Sequence, residues 1–271
     1  MDALRLVEGW PARTAAVGVV SAAGELGAVG PRGRAFSWAS VTKLLTALAT
    51  LVALEEGTVD LDDPVGPPGS TLRHVLAHAS GLPPEDGPPI APVGRRRIYS
   101  NAGIHAAARH VEERAEIPFR DYLAGAVLRP LGLRGALRHS PAWGYAGPLD
   151  DLLALGRELL APTLVAPETL AEATEVQFPG LVGVLPSFGR MDPNDWGLGF
   201  ELRDAKSPHW TGARNSARTF GHFGASGTFL WVDPDAEVTC GCLTDHEFGE
   251  WAKHAWPALS DAVLLEAGGP G

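Results

Sequence analysis

The 271-residue sequence predicts an α+β fold in which the two ends of the chain share one sheet and a helical block is inserted between them. Three observations carry that prediction. Strand-like apolar segments lie near the two ends, at about 14–30 and from about 197 onward. The middle is dominated by helix formers. Two short N-terminal strands would be marginal alone and need partners, which the C-terminal strands supply. The division expected is a discontinuous sheet region, 1–60 with 197–271, and a helical region, 61–196, acting as one unit. With 45% apolar residues the chain is long enough to bury a substantial core.

Each element follows in order. "TAAVGVVSAAGELGAVG" reads as two strands joined by a turn at Gly24. An apolar helix begins after Ser40 and closes at Gly57 as a left-handed cap. "TVDLDDPVGPPGS" is a loop by its Pro, Gly and Asp content. Residues 71–79 read as a short helix stopped by "SGLPP". Residues 83–97 form a long Pro- and Gly-rich loop ending in Arg95, Arg96 and Arg97, and such loops are often functional. The three arginines fit a solvated face or a charged rim. Helical patterns follow in "NAGIHAAARHVEERAEI", "PFRDYLAGAVLRPLGL", "PLDDLLALGRELL" and "APETLAEAT". Strands then return in "GLGFELRD", "ARTFGHFG", "SGTFLWVD" and "AEVTCGCLTD", before a closing helical stretch and a frayed "GGPG" tail.

Composition excludes several function classes. The net charge is −10 with both signs mixed, and no basic stripe marks a nucleic-acid partner. The acidity reads as solubility. No run of 18 apolar residues marks a membrane span, and the first residues lack a signal-peptide core, so a cytoplasmic protein is expected. Cys240 and Cys242 share one face of a strand and suit buried apolar positions. A zinc site built on them with Asp245 and His246 is disfavoured, because common zinc spacings are wider. His74 and His78 stand at i, i+4 and could offer two ligands, but packing and hydrogen bonding are preferred. Neither H-E-x-x-H nor G-x-S-x-G is present. No metal and no cofactor are expected.

The chemistry concentrates in three short stretches. Ser40 and Lys43, in "SVTK", stand three residues apart and share a helix face. Ser40 suits a helix cap or first turn, and Lys43 a snorkelling side chain. Yet the chain has only three lysines, Lys43, Lys206 and Lys253, against nineteen arginines. Lys can lose its proton when desolvated and Arg cannot, so a base at this place would have to be Lys. A helix N-terminus also supplies free N–H groups for a developing negative charge. "YSN" places Tyr99 and Asn101 just ahead of a helix, and a Tyr beside a cation can serve as a general base. "HFG" places His222 and Gly224 at a strand end, where Gly permits close backbone approach.

In that chain order, "SVTK", "YSN" and "HFG" resemble the motif set of the serine β-lactamase and DD-peptidase superfamily, in its class C-like branch with esterase relatives. "LRHVLAHASGLP", "WGLGFEL" and "GHFGASGTFLWVDPDAEVTCGCLTD" extend the likeness from about residue 14 to 265. The resemblance implies an antiparallel sheet flanked by helices, joined to an all-helical region, with the site between them. It implies Ser40 as acylated nucleophile, Lys43 assisting, and Tyr99 as general base. It further implies that Asn101, His222 and Gly224 contact substrate, with the N–H groups of Ser40 and Ala225 as oxyanion hole. The family's third motif usually begins with Lys, and His222 stands there instead. Since His is only partly charged near neutral pH, a carboxylate-bearing substrate is disfavoured. Arg214 and Arg218 are the nearby cations, and Trp38 and Trp196 the nearby apolar walls. The expected partner is a small-molecule ester, amide or β-lactam, and the expected function is an esterase or amidase. A β-lactamase or penicillin-binding DD-carboxypeptidase is the alternative, and a non-catalytic ligand-binding member of the fold is the rival from another class.

Overall fold

In the computed structural model, residues 1–268 are described. Six strands form the central sheet: β1 (Ala15–Ser21), β2 (Gly24–Val29), β3 (Glu201–Leu202), β4 (Phe220–Gly224), β5 (Thr228–Asp233) and β6 (Val238–Thr244). Their order is β2-β1-β6-β5-β4-β3, antiparallel throughout. The two ends of the chain therefore meet in the middle of the sheet. β1 pairs along β6 from Ala15 opposite Thr244 to Ser21 opposite Val238.

Both faces of this sheet are covered, which explains why β5 and β6 are apolar on alternate residues of either side. On one face Val17, Val19, Trp231, Cys240 and Cys242 pack with Trp256, Leu259 and Val263 of the closing helix, Glu250–Glu266. The two cysteines are free and buried, as their spacing suggested. On the other face lies the helix Leu149–Leu160. It approaches so closely that a Cβ at Gly18 would fall 2.7 Å from Leu153, and one at Gly156 2.8 Å from Thr239.

Helix α1 (Thr42–Glu55) runs through the core with nearly every residue buried. It ends in a Schellman turn: Thr58 N–H donates to Ala53 O at 2.9 Å, Gly57 N–H to Leu54 O at 3.0 Å, and Gly57 adopts φ 70°. Helix α2 (Asn101–Ala115) packs on α1 and starts at Ser100, whose Oγ accepts from Gly103 N–H at 2.9 Å.

The segment 61–196 holds several of the helices, but more of it is loop, turn and short strand than helix. Strands Ala136–Leu137 and Tyr145–Gly147 form a small sheet with Phe36–Ser37, and Gly183–Leu185 pairs with Gly189–Met191. Its helix Leu149–Leu160 belongs to the sheet layer. The short helix expected over 71–79 covers only Leu72–Leu76, and His78 lies beyond it at φ 56°. Arg97 departs from both readings of the arginine run. It is buried, and its guanidinium donates to the carbonyls of Ala77, Gln177, Phe178 and Asn194, fastening the loop to the segments around those residues. The expected frayed tail lies, beyond Gly268, outside the described residues. Among the described residues no helix is long and apolar enough to cross a membrane.

Candidate active site

Ser40 sits in a single 3-10 turn, Ala39–Val41, directly ahead of α1. The turn is set by Ala39 at φ 45°, a left-handed conformation that a residue with a Cβ adopts only when its surroundings impose it. Those surroundings are visible. Thr228 Oγ1 donates to Trp38 O at 2.9 Å and Ser226 Oγ to Ser37 O at 2.8 Å, tying the β4–β5 turn to the segment before Ser40. At Gly224 a Cβ would fall 2.6 Å from Trp38 O, so only Gly lets β4 lie against this turn. Trp38 is buried, donates its indole N–H to Gly147 O and packs edge-on against Tyr145.

The side chains predicted for the site come together. Tyr99 OH donates to Ser40 Oγ at 2.8 Å. Lys43 Nζ stands 3.3 Å from Ser40 Oγ, 2.7 Å from Asn101 Oδ1 and 2.9 Å from the Ala142 carbonyl. Asn101 donates its amide to Glu85 Oε1 at 2.7 Å. Its polar atoms thus serve Lys43 and Glu85. Lys43 is fully buried with no carboxylate in contact, and burial depresses its ammonium to about 7, against a smaller opposing pull from Glu85. Burial drives the Tyr99 phenol the other way, well above its ordinary value, and the hydrogen bond to Ser40 only partly offsets this. At neutral pH Tyr99 is therefore a protonated donor, while burial makes the neutral amine of Lys43 accessible.

His222 is neutral rather than partly charged. Burial first and Lys43 second push it down to about 3. Its Nδ1 lies 2.7 Å from Phe223 O, which can only accept, so the ring hydrogen is on Nδ1. His78 is also held well below its ordinary value, by burial and then by Lys43. Its Nδ1 accepts from Ser100 N–H at 3.2 Å, which anchors the Tyr99–Asn101 segment, and its ring packs on Tyr99 and Trp196. The metal alternative for His74 and His78 is not supported by this placement. His74 instead closes a capping box with Thr71 and stacks on Phe178. Among the described residues no group of three His, Cys, Asp or Glu could hold a metal.

A cavity of about 260 Å³ opens beside Ser40 and Tyr99. Leu185, Pro186, Trp196, Phe223 and Phe248 form its apolar wall, with Ser187, His222 and Ala225 completing it. Asn101 and Gly224 are not part of that wall. Neither Arg214 nor Arg218 reaches it, and Arg218 pairs with Asp235 at 2.8 Å on the surface. Three participants escaped the sequence. Ala142 acts through a carbonyl, which no side-chain pattern announces. Glu85 lies in the Pro- and Gly-rich loop that was the available signal. His78 stands in "LRHVLAHASGLP", where only its spacing to His74 drew notice.

Comparison with known proteins now decides the family. The Beta-lactamase family model matches residues 12–263. The chain belongs to the Beta-lactamase family. A crystal structure of a beta-lactamase from Mycobacterium bovis shares 50% identity, with a TM-score of 0.96 over 98% of this chain and 99% of that one. More distant structures share the fold of this β-lactamase-family protein. A putative beta-lactamase from Bacteroides dorei has 16% identity and a TM-score of 0.81, each chain 97% covered. EstCE1, a hydrolase with promiscuous acyltransferase activity, has 18% identity and a TM-score of 0.77, with 97% and 96% covered. No curated protein sequence matches the chain. The family is one of serine hydrolases that act on small-molecule esters, amides or lactams.

Proposed function

We propose that this protein is a serine hydrolase that cleaves carboxylic esters with uncharged, apolar acyl groups through an acyl-enzyme on Ser40. The observation that carries this reading is the cavity beside Ser40: its wall is apolar, its one imidazole is neutral, and it contains no Arg or Lys. Such a wall favours a hydrocarbon chain and offers a carboxylate nothing to pair with.

The same geometry suggests the proton path. Neutral Lys43, rather than the Tyr99 expected from the resemblance, takes the Ser40 proton as Oγ attacks the ester carbonyl. The Ser40 and Ala225 N–H groups would hold the oxyanion. As the tetrahedral intermediate collapses, the Lys43 ammonium gives the proton it took to the departing alkoxide, while the protonated Tyr99 hydroxyl beside Ser40 Oγ donates a hydrogen bond to that alkoxide. Water then attacks the acyl-enzyme, loses a proton to Lys43, and Ser40 Oγ leaves and is reprotonated. Asn101 acts on substrate only by exchanging its Glu85 contact.

The name of the Mycobacterium bovis relative favours a second reading, β-lactam turnover. One assay separates the two: p-nitrophenyl butyrate and a chromogenic cephalosporin, each with Ser40→Ala as control. Rapid ester cleavage that falls about 10³-fold or more in Ser40→Ala, with little cephalosporin turnover, is the expected result. Faster cephalosporin hydrolysis, or a stoichiometric burst that stalls, would replace the ester reading.

A further inference from the structure

A neutral amine has two hydrogens and one lone pair. Lys43 Nζ has two short contacts to pure acceptors, Asn101 Oδ1 at 2.7 Å and the Ala142 carbonyl at 2.9 Å. With one hydrogen on each, the lone pair is left for Ser40 Oγ at 3.3 Å. The Ala142 carbonyl is therefore half of what aims the base.

That carbonyl lies in a tight turn built around Ser140. Ser140 Oγ accepts from Ala142 N–H at 3.0 Å, and Ser140 O accepts from the N–H groups of Trp143 at 3.2 Å and Gly144 at 2.7 Å. Two helices hold the turn. From α1, Thr46 Oγ1 donates to Pro141 O at 2.6 Å, and Thr42 Oγ1 accepts from Tyr145 N–H at 3.1 Å. From α2, His105 Nε2 meets Ser140 Oγ at 2.6 Å. His105 follows Asn101 by four residues, so the two lie on one face of α2. One helix face thus supplies Asn101 to the first amine hydrogen and His105 to the turn that carries the second acceptor.

We propose that the His105–Ser140 hydrogen bond is a positioning device for Lys43: it fixes the Ala142 carbonyl so that the amine's lone pair faces Ser40. Ser140 Oγ meets His105 Nε2 while accepting from Ala142 N–H, and the other ring nitrogen of His105 faces exposed Asp86 at 3.8 Å. Around Lys43 itself the titratable groups are Tyr99, Glu85, His78 and His222. The proposal rests on Lys43 as the base of the ester reaction.

The three-lysine composition makes a direct test practical, since lysine ¹³Cε resonances would be few and assignable. Lys43 would be titrated by NMR, and p-nitrophenyl butyrate kinetics followed, in His105→Ala, Ser140→Ala, the double variant and His105→Gln. Both contact residues are half-exposed, so the variants should fold. In each single variant kcat should fall about 10- to 100-fold with KM little changed. The Lys43 titration should rise from about 7 toward the ordinary lysine value as water enters the loosened turn. The double variant should be no worse than the poorer single one, because the two side chains act through one link. His105→Gln, which can still meet Ser140, should recover most of the rate. Unchanged kcat and unchanged Lys43 titration in both single variants would overturn the proposal, and so would losses that multiply in the double variant. Failure of the ester reading looks different: wild type would show no ester rate that follows the Lys43 titration, and the NMR shifts in the variants would still decide the link.

Discussion

Two buried lysines have opposite surroundings. Lys43 meets a hydroxyl, an amide oxygen and a peptide carbonyl, and no carboxylate. Lys206 meets Glu201 Oε1 at 2.5 Å together with the carbonyls of Asp195 and Leu202, and its Nζ lies 5.8 Å from the Trp196 ring centre. The second oxygen of Glu201 accepts from Trp210 Nε1 at 2.8 Å and meets His209 at 2.9 Å. Burial alone would raise the Glu201 carboxyl, but Lys206 and His209 outweigh it and bring it down to about 2. A charged, fully bonded pair holds β3 and the loop after it, whereas an unpaired amine is driven toward neutrality and becomes a base. The residue type is the same; the presence of a carboxylate partner separates scaffold from chemistry.

Removing each ammonium sharpens that contrast. Lys43→Met should lower ester turnover by about 10³-fold or more, since among the described residues the other side chain hydrogen-bonded to Ser40 Oγ is Tyr99, which stays protonated near neutral pH. The same variant should be more stable than wild type. With a folded-state value near 7 and an unfolded value near 10.5, the buried charge destabilises the protein fully below pH 7. That destabilisation is relieved as pH rises toward 10.5. Urea unfolding at pH 7 and 10 should therefore show wild type gaining on the order of a few kcal/mol relative to Lys43→Met. A Lys43→Met protein no more stable than wild type at pH 7 would mean that Lys43 is not desolvated. The acid limb of ester kcat/KM should fall near pH 7 in wild type for the same reason.

How far the sequence reached follows the same division. The sheet was legible because strand composition survives at both ends of the chain, and Gly57 marked its helix end through a backbone requirement. Ser40, Lys43, Tyr99 and Asn101 were legible because "SVTK" and "YSN" keep them in short local motifs, and the structure brings them within hydrogen-bond reach. The state of His222 was not legible, since its low value comes from burial and from a lysine far away in sequence. Nor was the role of Arg97, which spends its guanidinium on four distant carbonyls. Long-range desolvation and main-chain acceptors leave no trace in composition.

Breaking the scaffold pair should affect stability more than catalysis. Lys206→Met leaves the Glu201 carboxylate buried without its cation, at a cost of about 3–5 kcal/mol in urea or thermal unfolding. The depressed Glu201 value contributes stability that is present above the unfolded carboxyl value and lost as pH falls toward about 2. Without Lys206 that loss should begin at higher pH, so acid unfolding should move upward. Turnover per folded molecule should stay near wild type. A collapse of kcat with stability intact would assign Lys206 to the chemistry and dissolve the comparison.

The third lysine sets the lower bound. Lys253 reaches Glu250 at 2.5 Å across one helical turn, but Glu250 is largely exposed. Water screens such a pair, and ordering two long side chains offsets much of the attraction, so Lys253→Ala should cost less than about 1 kcal/mol. The loss should shrink further in high salt. A double-mutant cycle with Glu250→Ala measures the coupling directly. Coupling comparable to that of Lys206 with Glu201 would show that proximity alone, without burial, fixes the strength of a lysine pair here; a value near zero would leave burial as the quantity that separates the three lysines.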